Sequence, residues 1–550
     1  MISQKYVGAY MKLYDDGKIK LNKERVQLFE YLKRDVLSRP DVWFDEGQIE
    51  DCINYIERNF FPLADFQKFL IPFSFLMIDD EDGESSLFYD SHFWTLGRGG
   101  GKNGLISGLS SYFLTPAHNV PRYQIGIVAN SEEQAMTSFD EIYDMIEMNK
   151  HIQPFFYKNK QEIRGVDTNS TLKYRTSNVK TKDSFRDACV IFDEIHQYET
   201  NEILNVFESG LGKVPFSRVY YIGTNGFVRD GVYDQKLQIA RDILDGTDEY
   251  TRMFPFICTL DDPDEKDDFD MWEKANPMFS EPRTSYAKEL FRKRQRDYYG
   301  LRTGATDQIS FMVKNMNTLV EDTQRTAVPR DELLRASRPL PDNVNDLPSI
   351  GAVDFASSRD FSACGVLTVD EDKNYYWQHH SFINQNFLSR FTIKAPLREW
   401  EKEGHCTIID APLINEKTIT EWFVQMREKN PSLNTIMVDS FKYNSLREPL
   451  EQAGFTVQII KNPRAASGKV SDKIDRTFAS GKIAWGDNPM MRWYTNNVYV
   501  KYDASGNKNY EKKEEVRRKT DGFMALVYAF FYADEFLQAP ISWLIGDIDF

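Results

Sequence analysis

Hydrophobic and polar positions alternate along this chain in two registers. Residues 1–60 follow a helical period, with Val26, Phe29, Leu32 and Leu37 separated by charged positions, which predicts an amphipathic helical appendage. From residue 63 to about 256, short β-rich runs alternate with helical stretches. The pattern predicts strands over 124–129, 188–192 and 218–222 and a helix over 131–148, the alternation of a parallel α/β sheet. Residues 325–349 hold Pro329, Pro339, Pro341 and Pro348 with few large apolar side chains, the composition of a linker. Strand-like runs then recur at 350–355, 363–369, 375–379, 407–409 and 435–438, followed by mixed helices, as in a second α/β domain of ordinary size. The expected division is an appendage over 1–60, a first domain over 61–255, a connecting subdomain and linker over 256–335, and a second domain over 336–550.

Composition narrows the class. The chain has 550 residues, 41% hydrophobic and 28% charged, which fits folded globular domains and excludes a disordered or collagen-like chain. Acids outnumber Lys and Arg 84 to 68, a net charge of −16, so any nucleic acid must be met by local basic surface. The start lacks a basic, then apolar, signal pattern, and no apolar run reaches the ~18 residues of a membrane span, so neither secretion nor membrane insertion is expected. Five scattered cysteines read as reduced thiols, and seven histidines show no metal-ligand spacing. Two charged stretches stand out. Residues 261–270 contain seven acids and one lysine and read as a solvated loop. Residues 286–300 carry Arg292, Lys293, Arg294 and Arg296, a basic helix that either touches phosphates or stays solvated.

The most informative segment runs from Phe93 through Leu96, Gly97, Arg98, Gly99, Gly100, Gly101, Lys102 and Asn103 into an apolar helix. Such glycines let backbone N–H groups wrap a phosphate, the helix start adds its positive end, and Lys102 reaches the β- and γ-phosphates of ATP. Leu96 stands where the first glycine of a P-loop is usual, and Asn103 where a Ser or Thr would ligate Mg²⁺; an amide oxygen can still do so. Downstream, an apolar run ends in Asp193 and Glu194, the first suited to hold Mg²⁺ through water and the second to polarise the attacking water. A further run ends in Thr224 and Asn225, small polar groups able to sense the γ-phosphate, or simply a strand end. Gln67 lies ahead of the loop, where helicase-like motors read adenine with a glutamine, or it is a surface residue.

The second domain offers three spaced acids. Asp354 ends its first strand, Asp439 ends a later one, and Asp521 opens an apolar helix; Asp360 and Asp410 are auxiliary candidates. Phosphodiester cleavage develops charge on attacking and leaving oxygens, and two divalent ions held by such acids clamp both. Each acid has a plainer explanation as a strand end or helix cap, Asp521 above all. Lys512, Lys513, Arg517, Arg518 and Lys519, just before Asp521, are placed to bring in a DNA phosphate.

Taken in order, these motifs make the chain resemble the large subunit of tailed-bacteriophage terminases, from about residue 63 to 533. The resemblance rests on Arg98 and Lys102 in the loop, on Phe192 to His196, and on Gly223 to Asn225. It continues through Trp272 to Pro277, Val353 and Asp354, Asp360, Val438 and Asp439, and Lys519 to Asp521. It implies an ASCE-type P-loop ATPase joined to an RNase H-like nuclease. ATP with Mg²⁺ would serve the first, and two Mg²⁺ or Mn²⁺ ions the second. It further implies a ring docked on the portal of a procapsid in the host cytoplasm, double-stranded viral DNA as substrate, and a small terminase subunit as partner. An arginine finger is also implied; Arg98, Arg122, Arg164 and Arg186 are open candidates. The alternatives are a helicase-like translocase with a non-cutting second domain and a structural capsid component with a vestigial P-loop.

Overall fold

The structure, a computed structural model, describes residues 2–537 except 81, 177–185, 199, 227–230, 320–325, 357–360, 392, 394, 503–507 and 513–517. It divides into two compact units, Met1–Val320 and Glu321–Phe550.

The first unit is built on a sheet of eight strands in the order Met253–Ile257, Ser91–Thr95, Arg218–Gly223, Cys189–Phe192, Gln124–Ala129, Thr171–Thr176, Ile163–Gly165 and Phe156–Lys158. The first six run parallel and the last two form an antiparallel edge. The central strands are buried along their whole length, as Cys189–Phe192 and Arg218–Gly223 show, which is why they read as near-continuous apolar runs. One strand, Arg218–Gly223, separates the strand that feeds the glycine loop from the strand that ends in acids.

Residues 1–60 share the core of this sheet. Tyr10 and Phe29 pack on Phe69 at ring-centroid distances of 4.9 and 5.6 Å, and Phe69 packs in turn on Phe254 and Phe256. Arg25, 1% exposed, donates to the carbonyls of Glu273 and Lys274, so the amino-terminal helices also grip the segment that follows the sheet. Two expectations need correction here. Asp261 and Glu265 of the acidic run are not merely solvated: both pair with Lys274, whose side chain is largely covered. Residues 256–319 are not a separate connector, because Gly97, Arg98 and Gly99 of the loop and the strand ends are bonded to them directly, as described below.

The second unit is a mixed sheet in the order Cys406–Ile409, Tyr375–Asn384, Ser362–Val369, Ser349–Asp354, Thr435–Asp439 and Thr456–Ile460, with Ile483–Ala484 pairing beside Tyr375–Asn384. Three consecutive strands form an antiparallel meander, and Thr435–Asp439 and Thr456–Ile460 are added parallel to its first strand. That is the topology of an RNase H-like sheet. The proline-bearing stretch before it is not a bare linker: Ala327, Val328, Leu333 and Ala336 are buried in this unit's core, the last two on the short helix Arg330–Ala336. Few apolar residues suffice there because each is almost fully covered. The apolar helix Asp521–Phe536 supplies Phe523, Leu526, Val527 and Phe530 to the same core.

Candidate active sites

The glycine loop follows the buried strand Ser91–Thr95 and ends at the helix Lys102–Phe113. Gly99 and Gly101 adopt φ of 82° and 80°, a left-handed conformation that costs a side-chain-bearing residue strain. The loop carbonyls are withdrawn one by one. Lys102 Nζ donates to Leu96 O at 2.9 Å, Arg294 to Arg98 O at 3.1 Å, the Tyr286 hydroxyl to Gly99 O at 2.9 Å and Gln67 Nε2 to Gly101 O at 3.2 Å. With these carbonyl oxygens occupied elsewhere and the Gly97, Arg98 and Gly100 N–H groups bonded within the protein, the N–H groups of Gly99, Gly101 and the first helical turn are what the loop offers a phosphate.

Asp193 and Glu194 stand at the end of Cys189–Phe192, across the intervening strand Arg218–Gly223. Asn103 Nδ2 donates to Asp193 Oδ2 at 2.9 Å, so the residue in the Ser/Thr place of the P-loop faces the acid that would share its cation. Burial pushes the Asp193 carboxyl up to about 7, with the neighbouring Glu194 adding to it and Lys102 and Asn103 opposing. Burial likewise lowers the Lys102 ammonium, against the pull of Glu194 and Asp193. A cation placed between Asn103 and Asp193 would reverse this balance, and oxygen donors suit Mg²⁺. Glu194 is held at φ 50°, outside the ordinary range for its type, with its N–H on Asp193 Oδ1 at 2.8 Å and its Oε2 3.2 Å from His196 Nδ1. Such a conformation costs a non-glycine residue energy and persists only where its surroundings hold it in place.

Thr224 and Asn225 are buried beyond Gly223, whose carbonyl accepts the Leu96 N–H at 3.3 Å, so this segment touches the start of the loop. Gln67 is 1% exposed and both ends of its amide are used, Oε1 by Ala64 N and Nε2 by Gly101 O; it braces the loop from beneath. Sequence reasoning missed Asn317. In a left-handed conformation and 2% exposed, it accepts from the Asn225 N–H and donates to Thr95 Oγ1 at 3.0 Å and Cys258 O at 2.6 Å. One side chain thus ties the ends of three adjacent strands, and no local motif announces it.

In the second unit, Asp354 and Asp439 end neighbouring parallel strands whose register pairs Val353 with Val438, so the two acids come next in step. Adjacent strands lie about 4.8 Å apart, a spacing at which two carboxylates can share two divalent cations. Asp439 is buried, which raises its carboxyl, while the N–H groups of Phe441 (2.7 Å) and Lys442 (3.2 Å) hold it down. Asp521 is the first residue of its helix and 3% exposed. All three acids act on one group: the Tyr528 hydroxyl is raised by its burial and then by Asp354, Asp439 and Asp521 in turn. Among the described residues no three carboxylate, His or Cys side chains form a closed metal-binding group. The donor set is nevertheless all oxygen and anionic, the chemistry that Mg²⁺ and Mn²⁺ take.

Other expectations fare differently. Asp360, Lys513 and Arg517 lie outside the described residues. Asp410 is exposed just past Cys406–Ile409. Lys519 does not face outward to DNA: it is 1% exposed with Nζ 4.6 Å from the Phe387 ring centroid, where its aliphatic stem is covered. Arg122 is left-handed at φ 57° with its N–H on Thr168 O, while Arg164 lies over Tyr157 in the edge hairpin. All five cysteines are free and buried. No helix of the described residues is long and apolar enough to cross a membrane.

Fold and sites together define a P-loop ATPase joined in one chain to an RNase H-like endonuclease. The family model for the terminase large subunit endonuclease domain matches residues 247–536, and that for the terminase large subunit ATPase domain matches residues 82–242. With the first alone spanning more than half of its length, the chain belongs to the terminase large subunit family and is an ATPase and endonuclease of DNA packaging and cleavage. Both domains imply the use of divalent metal. The terminase large subunit of Lactococcus phage p2 is 24% identical over 464 residues, covering 82% of this chain and 83% of that one. Protein YmfN of Escherichia coli K12 is 24% identical over 360 residues, covering 62% of this chain and 76% of its own. Among solved structures, the HK97 bacteriophage large terminase is 19% identical, with a TM-score of 0.47, over 88% of this chain and 100% of that one.

Proposed function

We propose that this protein drives viral double-stranded DNA into a procapsid with the energy of ATP, and cuts concatemeric DNA to length by two-metal hydrolysis. The Lys102 ammonium and the N–H groups of Gly99, Gly101, Lys102 and Asn103 bind the ATP phosphates, with Gly100 shaping the turn through its N–H on the Gly97 carbonyl; Asn103 and Asp193 hold the Mg²⁺, and Glu194 orients the attacking water. Arg98 supplies positive charge in cis, Gln67 keeps the loop in shape, and Thr224 and Asn225 pass on loss of the γ-phosphate. In the nuclease, Asp354, Asp439 and Asp521 hold two Mg²⁺ or Mn²⁺ ions that stabilise the attacking and leaving oxygens. The working form is a homo-oligomeric ring on the portal in the host cytoplasm, with a small terminase subunit selecting the DNA.

The observation that carries this reading is the register that sets Asp354 beside Asp439, in the same chain as a loop whose carbonyls are turned away from the phosphate site. The test separates the two chemistries. Asp439→Ala should leave ATP hydrolysis intact and plasmid uncut in Mn²⁺, and Glu194→Gln should do the reverse. Plasmid cutting by Asp439→Ala at the wild-type rate would sink the nuclease assignment.

A further inference from the structure

Residues 247–320 fall inside the match to the endonuclease model, yet they belong to the same compact unit as the phosphate loop. Their hydrogen bonds with it fall on three consecutive residues, Gly97, Arg98 and Gly99. Gly97 N–H donates to Ala275 O at 2.9 Å and Arg98 N–H to Lys314 O at 2.8 Å. The helix Ser285–Leu301 then adds two side chains from the other direction, Tyr286 on Gly99 O and Arg294 on Arg98 O.

Arg294 differs from its neighbours on this basic helix. Arg292 and Arg296 have side chains 70% and 67% exposed, whereas that of Arg294 is 7% exposed. A buried guanidinium needs a charge partner and good acceptors to offset its desolvation. Arg294 has both: Asp297 Oδ2 at 2.9 Å one turn on, and the Arg98 carbonyl at 3.1 Å. The loop is also pressed close to this cover. A Cβ at Gly99 would lie 2.9 Å from the Leu290 side chain, and one at Gly97 would lie 2.3 Å from Asn315 O.

We infer that the helix Ser285–Leu301 is a clamp on the nucleotide loop, in which Arg294 and Tyr286 are positioning residues that hold the Arg98 and Gly99 carbonyls away from the phosphates. The physical need is simple. A carbonyl oxygen turned toward a triphosphate repels it, and the peptide units on either side of Gly99 have the freedom to turn that way, since φ of 82° is reached only because no side chain opposes it. Pinning both oxygens to donors on a separate helix removes that freedom before ATP arrives, so binding does not have to order the loop. Arg294 also fixes the backbone from which the Arg98 side chain projects.

The inference rests on reading residues 96–103 as the ATP loop, and the experiment separates the two. The full-length protein is titrated with a fluorescent ATP analogue, and KM and kcat for ATP are measured alongside thermal unfolding. Lys102→Ala should abolish binding; if it binds as wild type does, the loop reading itself fails. With that control in place, Arg294→Ala should weaken nucleotide binding about 10- to 100-fold, the loss of one charge-assisted hydrogen bond. KM should rise by the same factor with a smaller change in kcat. Arg294→Lys, which keeps a cationic donor, should recover most of the affinity. Tyr286→Phe removes one neutral hydrogen bond from a half-exposed ring without touching the core, and should weaken binding about 2- to 10-fold. Glu289→Ala, exposed on the same helix, should bind as wild type does. Wild-type affinity in a folded Arg294→Ala, or in Tyr286→Phe if the first variant unfolds, overturns the clamp.

Discussion

In the ATPase unit, four side chains, Gln67, Lys102 and the two on the helix Ser285–Leu301, Tyr286 and Arg294, hold the ligand-facing loop by its carbonyls. In the nuclease unit, the charges of Asp354, Asp439 and Asp521 all bear on the Tyr528 hydroxyl, and two backbone N–H groups and Lys442 offset that of Asp439. The difference follows from the sign of the ligand. A site for an anion can be assembled beforehand from donors that satisfy one another's acceptors. A site for cations must hold like charges together, and its last step of assembly belongs to the ions themselves. The first site is therefore expected to be rigid without ligand, and the second to tighten when metal binds.

The largest expected effect falls on cutting. Asp354→Ala or Asp439→Ala should lower DNA cleavage by about 10⁴-fold or more, as removal of a unit that acts as a whole does, with ATP hydrolysis unchanged in a phosphate-release assay. Next, Glu194→Gln should slow ATP hydrolysis by about 10²- to 10⁴-fold while a nucleotide titration still saturates, because the water loses its base but the loop keeps its donors. Equal loss of ATP affinity in that variant would blur the contrast between preassembled loop and reacting group.

Metal response sharpens the comparison further. Mn²⁺ at about 100 times its dissociation constant should stabilise the nuclease unit by about 2.7 kcal/mol in a thermal melt, and Asp439→Ala should lose that gain. Asn317→Ala should cost about 1–3 kcal/mol, because it strands the Asn225 N–H and the Cys258 carbonyl and puts alanine in a left-handed conformation. Arg292→Ala, on the exposed face of the clamp helix, should change stability by no more than about 0.5 kcal/mol.

How far the sequence discloses these sites follows from how local their causes are. The strand Gln124–Ala129 and the helix that follows it, Glu132–Met148 with Ser131 accepting from Gln134 N–H, are legible because period, cap and length agree. The phosphate loop is legible because glycines at positions needing φ > 0 leave a mark in the sequence, and Asp354 and Asp439 because each closes an apolar run. The supporting residues leave no such mark. Arg294 stands 196 residues from Arg98, Tyr286 187 from Gly99, and Asn317 222 from Thr95. Their roles exist only once the chain has folded, and within the basic helix nothing in the pattern separates inward Arg294 from outward Arg292 and Arg296. The strand Thr456–Ile460 is missed for a related reason: on the edge of the sheet it is only partly buried and lacks a continuous apolar run. The proline-bearing stretch misleads because four small or medium side chains, fully covered, do the work of a longer apolar run.

The central claim is that Asp354, Asp439 and Asp521 form one cation site completed by metal. Diffraction from crystals soaked in Mn²⁺, with anomalous differences measured at the manganese edge, tests it most directly. The account predicts two peaks about 3.5–4 Å apart among these three carboxylates. Manganese bound elsewhere, with these acids bare at saturating concentration, would contradict it.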